Sequence, residues 1–156
     1  MNRGVMDMTA KELMRRYEMH THVEHGAFLE RHDPSPSAGR AASGLMYYYV
    51  SPGERTEFHR IDCDEYWCYA EGATLELWTV SEDGHVSTAR LGTADGCEPV
   101  ILVKKGMVFA AKCPAGDDGT FLSCITVPRF RQEALELFTK EELLARFPAL
   151  CEFYWD

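Results

Sequence analysis

His59 and Glu65 are the residues of this chain whose types and spacing best suit chemistry, and they stand between two glycines, Gly53 and Gly72. A histidine near a carboxylate is a workable general base, because the carboxylate orients the ring and raises its basicity. The same pair also serves, in many proteins, as a structural ion pair or hydrogen bond. If residues 65–70 form one strand, Glu65, Trp67 and Tyr69 share a face, while Tyr66 and Cys68 point the other way. A catalytic metal centre needs about three converging protein ligands, and His59 and Glu65 supply only two. His22, Glu24 or Cys68 could complete a shell, but nothing in their spacing requires it. The expectation is therefore no cofactor and no metal site, beyond an adventitious or weakly held divalent ion.

Three further groups invite a chemical role. His20, His22 and His25 cluster, but such a run is more often a surface segment between a helix and a strand. Tyr47, Tyr48 and Tyr49 alternate along a strand, so Tyr48 opposes the other two. A tyrosine can act as an acid opposite a base, yet aromatic packing is the commoner use. Cys68 lacks the neighbouring cation or helix N-terminus that activates a thiol. Arg60 follows His59 and faces away from it in a regular strand, which suits an ion pair at a subunit contact.

The elements that must hold these residues are short strands. Apolar or alternating runs recur at 45–50, 54–60, 65–70, 73–80, 85–90, 99–103, 107–112 and 120–127. Turn signals such as Ser51-Pro52-Gly53, Glu71-Gly72 and Lys105-Gly106 separate them. Regular short strands of this kind predict a sandwich or barrel. A further extended piece covers 26–31, and the Pro-, Gly- and Ser-rich stretch 33–44 is a loop. Helices flank the β-region. Thr9 with Glu12 forms a capping box that starts a helix over about 9–19, and Thr139 with Glu142 starts a second that ends at Pro148.

Composition narrows the partners. The 156 residues suit one domain, 1–156, with a barrel core over about 26–130. A net charge of −9 without a basic stripe argues against nucleic acid and anionic membranes. No apolar run approaches a membrane span, and the N-terminus lacks a signal-peptide pattern, so the expected location is cytoplasmic. The six cysteines form no Cys-x-x-Cys pair and are expected as free, mostly buried thiols.

The string Gly53…His59…Glu65…Gly72 resembles the first motif of the cupin superfamily, and four stretches are similar to one branch of it, the DUF985 or cupin_5 family. These are His22-Val-Glu24-His25-Gly26-Ala-Phe28; Gly53-Glu54 through Phe58-His59-Arg60 to Asp64-Glu65-Tyr66-Trp67; Leu91-Gly92 with Gly96; and Cys124 through Val127-Pro128 to Phe130, with Phe138 beyond. They occur in the family's order across roughly residues 13–148. Departures exist. Cys68 stands where the family has His, Lys104 where it has Pro, Val108 near its usual Trp, and Arg129 at a usual Gly. Against the wider cupin pattern, Ile61 and Phe109 replace the second and third histidines.

The resemblance implies a mainly β fold, a single-domain cupin-type jelly-roll β-barrel with short N- and C-terminal helices. It implies that His59 and Glu65 look into the barrel, with Trp67, Tyr69 and Phe109 as ligand-binding walls and His22 and Glu24 closing over the mouth. The implied function is small-molecule binding, in its concrete form a metal-independent sugar or sugar-nucleotide epimerase or isomerase. In that form His59 is the general base and Glu65 its orienting partner. The alternative is a non-catalytic module that holds a nucleotide-like or aromatic ligand between Trp67 and Phe109. Small barrels leave strand edges that a second subunit covers, so a homodimer is expected.

Overall fold

Turn glycines and prolines cut the middle of the chain into strands that pair into two antiparallel sheets. The structure, a computed structural model, describes residues 8–32 and 39–154, so part of the expected 33–44 loop lies outside the described residues. The described residues form eleven strands, β1 (His20–Thr21), β2 (Ala27–His32), β3 (Gly44–Val50), β4 (His59–Arg60), β5 (Asp64–Gly72), β6 (Leu75–Val80), β7 (Val86–Leu91), β8 (Val100–Val103), β9 (Val108–Lys112), β10 (Thr120–Val127) and β11 (Glu136–Leu137). One sheet runs β1-β2-β3-β10-β5-β8 and the other β11-β4-β9-β6-β7. They face each other across one apolar core that includes Tyr48, Trp67, Leu77, Phe109 and Leu122. This is the mainly β jelly-roll barrel that the sequence implies.

Both expected helices form with complete capping boxes. α1 (Ala10–Arg16) starts at Thr9 and α2 (Lys140–Arg146) at Thr139, each with its Glu returning a hydrogen bond to the cap backbone. α1 covers the outer face of the first sheet through Ala10, Tyr49 and Phe121. α2 and the 3-10 turn Pro148–Tyr154 cover the outer face of the second through Phe58, Trp78, Leu143, Leu150 and Phe153. The middle strands of the second sheet, β9 and β6, are thus covered on both faces, while β11 and much of β7 stay exposed. In the first sheet, Tyr66, Val100, Leu102, Ile125 and Val127 remain exposed on the outward side of β5, β8 and β10.

The expected strand 54–60 shrinks to His59–Arg60. Its first half stays beside the end of β9 through backbone bonds, Thr56 N–H to the Ala111 carbonyl and Cys113 N–H to the Glu54 carbonyl, both 2.9 Å, and side chains add to them. The Glu54 carboxylate accepts from the backbone N–H groups of Gly26 and Ser51. Thr56 Oγ1 accepts from the Ala111 N–H at 2.8 Å. Arg60 does point away from His59, but its ion pair is within the chain, to Glu136 at 2.6 Å, because β11 pairs with β4. All six cysteines are free, and Cys63, Cys113 and Cys124 are buried.

Candidate active site

The site begins with a turn that aims one carboxylate inward. His25 and Gly26 both take positive φ, 72° and 74°, so the chain reverses between β1 and β2. The His22 N–H donates to the Gly26 carbonyl at 2.9 Å and closes the turn. Three outside groups pin it: Glu54 at the Gly26 N–H, the Tyr48 hydroxyl donating to the His25 carbonyl at 2.8 Å, and the Glu57 N–H donating to the Glu24 carbonyl at 3.0 Å. A Cβ at position 26 would sit 2.8 Å from both the Tyr48 hydroxyl and the Tyr49 carbonyl. The Glu24 side chain is thereby buried, 9% exposed.

His59 meets this carboxylate. Its Nε2 lies 3.1 Å from Glu24 Oε2, its Nδ1 lies 2.9 Å from the Glu57 carbonyl, and its ring packs 4.1 Å from that of Phe109. The carbonyl can only accept, so we assign the ring proton to Nδ1, leaving Nε2 to accept from a protonated Glu24. The contact has the length of an ion pair, but burial favours the neutral form. It pushes the Glu24 carboxyl up to about 8, with help from the neighbouring Glu65. It also drives His59 down to about 4, against the pull of the Glu57 carbonyl.

Glu65 is the second buried carboxyl. Its Oε2 accepts from the Trp67 indole N–H at 2.9 Å. Among the described residues its other oxygen has no partner, and it retains surface in the cavity. Burial raises Glu65 to about 7, opposed by the indole bond.

These groups share a cavity of about 300 Å³. Glu24, His59, Glu65 and His22 form its inner end, while Phe28, Met46, Tyr48 and Trp67 supply aromatic and apolar wall. Arg129, ion-paired to Glu30 at 2.6 Å, lies at the outer end with Phe130 and the exposed Gln132, while the buried Thr126 stands opposite Glu65. Cross-strand register explains the wall: Cys124 stands opposite both Trp67 and Met46, and Leu122 opposite Tyr48. Met46, Cys124 and Thr126 were recoverable from alternation once the Glu65 face was set inward. Phe28, Arg129 and Gln132 carried no such signal.

The structure brings together His59, Glu65, Trp67, Glu24 and His22, and leaves two expected wall residues out. Tyr69 keeps the register with β10 and packs on the same core as Trp67, but it does not line the cavity, and its hydroxyl donates to the Gly72 carbonyl at 2.7 Å. Phe109 is fully buried behind His59, and its ring meets Trp67 edge-on at 6.1 Å. No ligand fits between those two rings. The partner of His59 is Glu24, not Glu65, whose bound oxygen is held by Trp67. Among the described residues no three His, Cys, Asp or Glu side chains are arranged to hold a metal ion. The apolar Ile61 and Phe109 explain why the set does not fit such a centre.

The linkage has a definite sign. Glu24 and Glu65 have raised folded-state values, so their contribution is full below about 4.5 and is lost as pH rises through about 7 and 8. His59 has a lowered value, so its contribution is present above 6.5 and is lost as pH falls through about 4. Above pH 6.5 only the carboxyls act. Thermal stability falls between pH 6.5 and about 8.5, with at most about 1.4 kcal/mol lost per pH unit for each titrating carboxyl. The Glu24→Gln, Glu65→Gln double variant loses that slope. A melting series across this range checks both, and an unchanged slope in the double variant assigns it elsewhere.

Comparison with known proteins agrees with the geometry. No match is found among curated proteins. A solved structure of a protein from Shewanella oneidensis is similar, with 29% identity, 91% of this chain and 92% of that one covered, and a TM-score of 0.82. A hypothetical protein from Leishmania major shares 23% identity over 91% and 94% of the two chains, with a TM-score of 0.79. Oxalate decarboxylase from Bacillus subtilis shares the fold alone, at 15% identity, 89% of this chain, 35% of that one and a TM-score of 0.60. The model of the cupin superfamily family DUF985, Cupin_5, matches residues 11–138, and the chain belongs to that family.

Proposed function

We propose that the cavity binds a small carbonyl-bearing molecule of the sugar class and moves a proton on it, an epimerase- or isomerase-type reaction that needs no metal. The observation that carries this is two proton-holding units, the Glu24–His59 pair and Glu65, buried at one end of the same cavity. A carboxyl held near 7 is half ionised at neutral pH, the condition for taking and returning a proton. Glu65 takes the base role through its free oxygen, and Glu24, protonated against His59, is the acid. His59 acts as part of that pair and not as a lone base. A cavity of about 300 Å³ lies at the small end of the usual range for small-molecule sites. It encloses a monosaccharide-sized body, and a nucleotide attached to it would extend past Arg129.

The test is NMR in deuterated water with a panel of hexoses, ketoses and their phosphates. Deuterium entering at a carbon next to the carbonyl supports the reading, and it persists in the presence of a chelator. Binding without exchange for every sugar leaves only the non-catalytic module, its ligand lying against Trp67 and Tyr48.

The homodimer belongs to the same reading. The exposed strip Tyr66, Val100, Leu102, Ile125 and Val127 is contiguous, since Tyr66 stands opposite both Leu102 and Ile125. It runs to β8, the edge of its sheet. A second copy is the partner that presents a matching uncharged strip, related by a two-fold axis. The wild-type chain elutes as a dimer, and the Leu102→Glu, Ile125→Glu variant as a monomer. A wild-type monomer at micromolar concentration contradicts the dimer.

A further inference from the structure

We infer that His22 is the hydrogen-bond donor to the reacting oxygen: a neutral imidazole fixed with its Nε2–H turned into the cavity, where it meets the charge that collects on the substrate carbonyl. The inference rests on the proton-transfer reading above and assigns it a residue that acts on the oxygen and not on the carbon.

The tautomer follows from the backbone. His22 Nδ1 accepts from the Glu24 N–H at 3.2 Å, so the proton of the neutral ring is on Nε2. The Glu24 carboxylate, at 3.9 Å from Nδ1, is too far for a hydrogen bond. The ring is clamped edge-on by Phe28 at 4.8 Å and Tyr48 at 6.1 Å. Its side chain is 11% exposed and lines the cavity, and among the described residues nothing accepts from Nε2. Burial lowers the pKa of the ring and keeps it uncharged at neutral pH.

Two other polar side chains of the cavity are committed elsewhere. The Tyr48 hydroxyl donates to the His25 carbonyl. The Arg129 guanidinium donates to Glu30 at the outer end. The Thr126 hydroxyl stands opposite Glu65 and accepts from the Phe130 N–H. Beside Glu24, where a developing negative charge needs a fixed donor, His22 supplies one.

The step balances without an oxidant. The ionised Glu65 takes a proton from the carbon next to the carbonyl. The C–H electron pair becomes the C=C bond of an enolate, and the C=O π pair moves onto oxygen, which accepts from the His22 Nε2–H. Glu24 then returns a proton to carbon, the enolate collapses to the carbonyl, and Glu65 passes its proton back through the Glu24–His59 pair.

Two measurements test this. Nitrogen-15 NMR of the His22 ring at pH 7 shows a neutral ring protonated on Nε2. An imidazolium, or a proton on Nδ1, overturns the inference whatever the activity. In the exchange assay, His22→Phe lowers kcat by about 10²–10³ with KM within a few-fold, and His22→Gln, which keeps an N–H donor, recovers part of the loss. Wild-type exchange with an undiminished His22→Phe rate defeats the inference and leaves the proton-transfer reading standing. No exchange by the wild type with any sugar defeats both.

Discussion

Glu65→Gln lowers the rate of proton exchange by about 10³ and leaves sugar affinity within a few-fold. The amide keeps an oxygen for the Trp67 N–H, so the strand and the cavity wall are undisturbed. What disappears is a carboxyl whose value near 7 lets it both lose and gain a proton at neutral pH. His59→Ala is a harsher change. It removes the group at 3.1 Å from Glu24 and leaves that carboxyl buried without its partner. Exchange falls as far, but thermal stability falls with it, and this separates the two variants. The exchange assay, run beside a binding isotherm and a melting curve, checks the pattern. A Glu65→Gln protein that exchanges at the wild-type rate removes Glu65 from the chemistry.

Gly72→Ala lowers stability by about 3–4 kcal/mol, roughly 10 °C in melting temperature for a domain of this size. Gly72 has φ of 101°, a region other residues rarely adopt, and a Cβ there would lie 2.0 Å from the Gly119 carbonyl oxygen. The obstacle is backbone and cannot swing aside. The same contact region seats α1, since a Cβ at position 72 would also lie 2.7 Å from the Ala10 Cβ. The control is Gly53→Ala, which has positive φ but nothing within 4 Å. It costs only the conformational strain, about 1 kcal/mol. Equal melting temperatures for the two variants contradict this account of the second glycine.

Those two glycines, with His59 and Glu65 between them, were the legible part of the site. Strand alternation set Glu65 and Trp67 on one face, and β5 honours it. Both capping boxes form where Thr9 and Thr139 precede their glutamates. Most strands lie within a few residues of their expected runs, because turn glycines and β-branched residues are local signals. The pairing of His59 was not local. Glu24 and Glu65 stand on opposite sides of it in sequence, and only the His25–Gly26 reversal decides which carboxylate reaches the ring. Tyr69 illustrates a second limit. Alternation puts it on the Trp67 face, and it packs on the same core there, but a shared face does not say how far along the strand a cavity extends. Phe109 shows a third: facing inward on β9 does not distinguish lining a cavity from closing the space behind it.

Arg129 departs from the family's usual glycine and brings a cation to the outer end of the cavity. Arg40 and Arg131, far apart in sequence, share Asp62, Arg131 at 2.6 Å and Arg40 at 2.7 Å. These pairs are surface-screened and are expected to contribute little to stability.

The most direct measurement is a carbon-13 NMR titration of the side-chain carboxyls, with Glu24 and Glu65 assigned through their Gln variants. The account predicts that Glu65 ionises near pH 7 and Glu24 near pH 8. Both carboxyls fully ionised by pH 5 would contradict it, because the inner end of the cavity would then hold no proton to move.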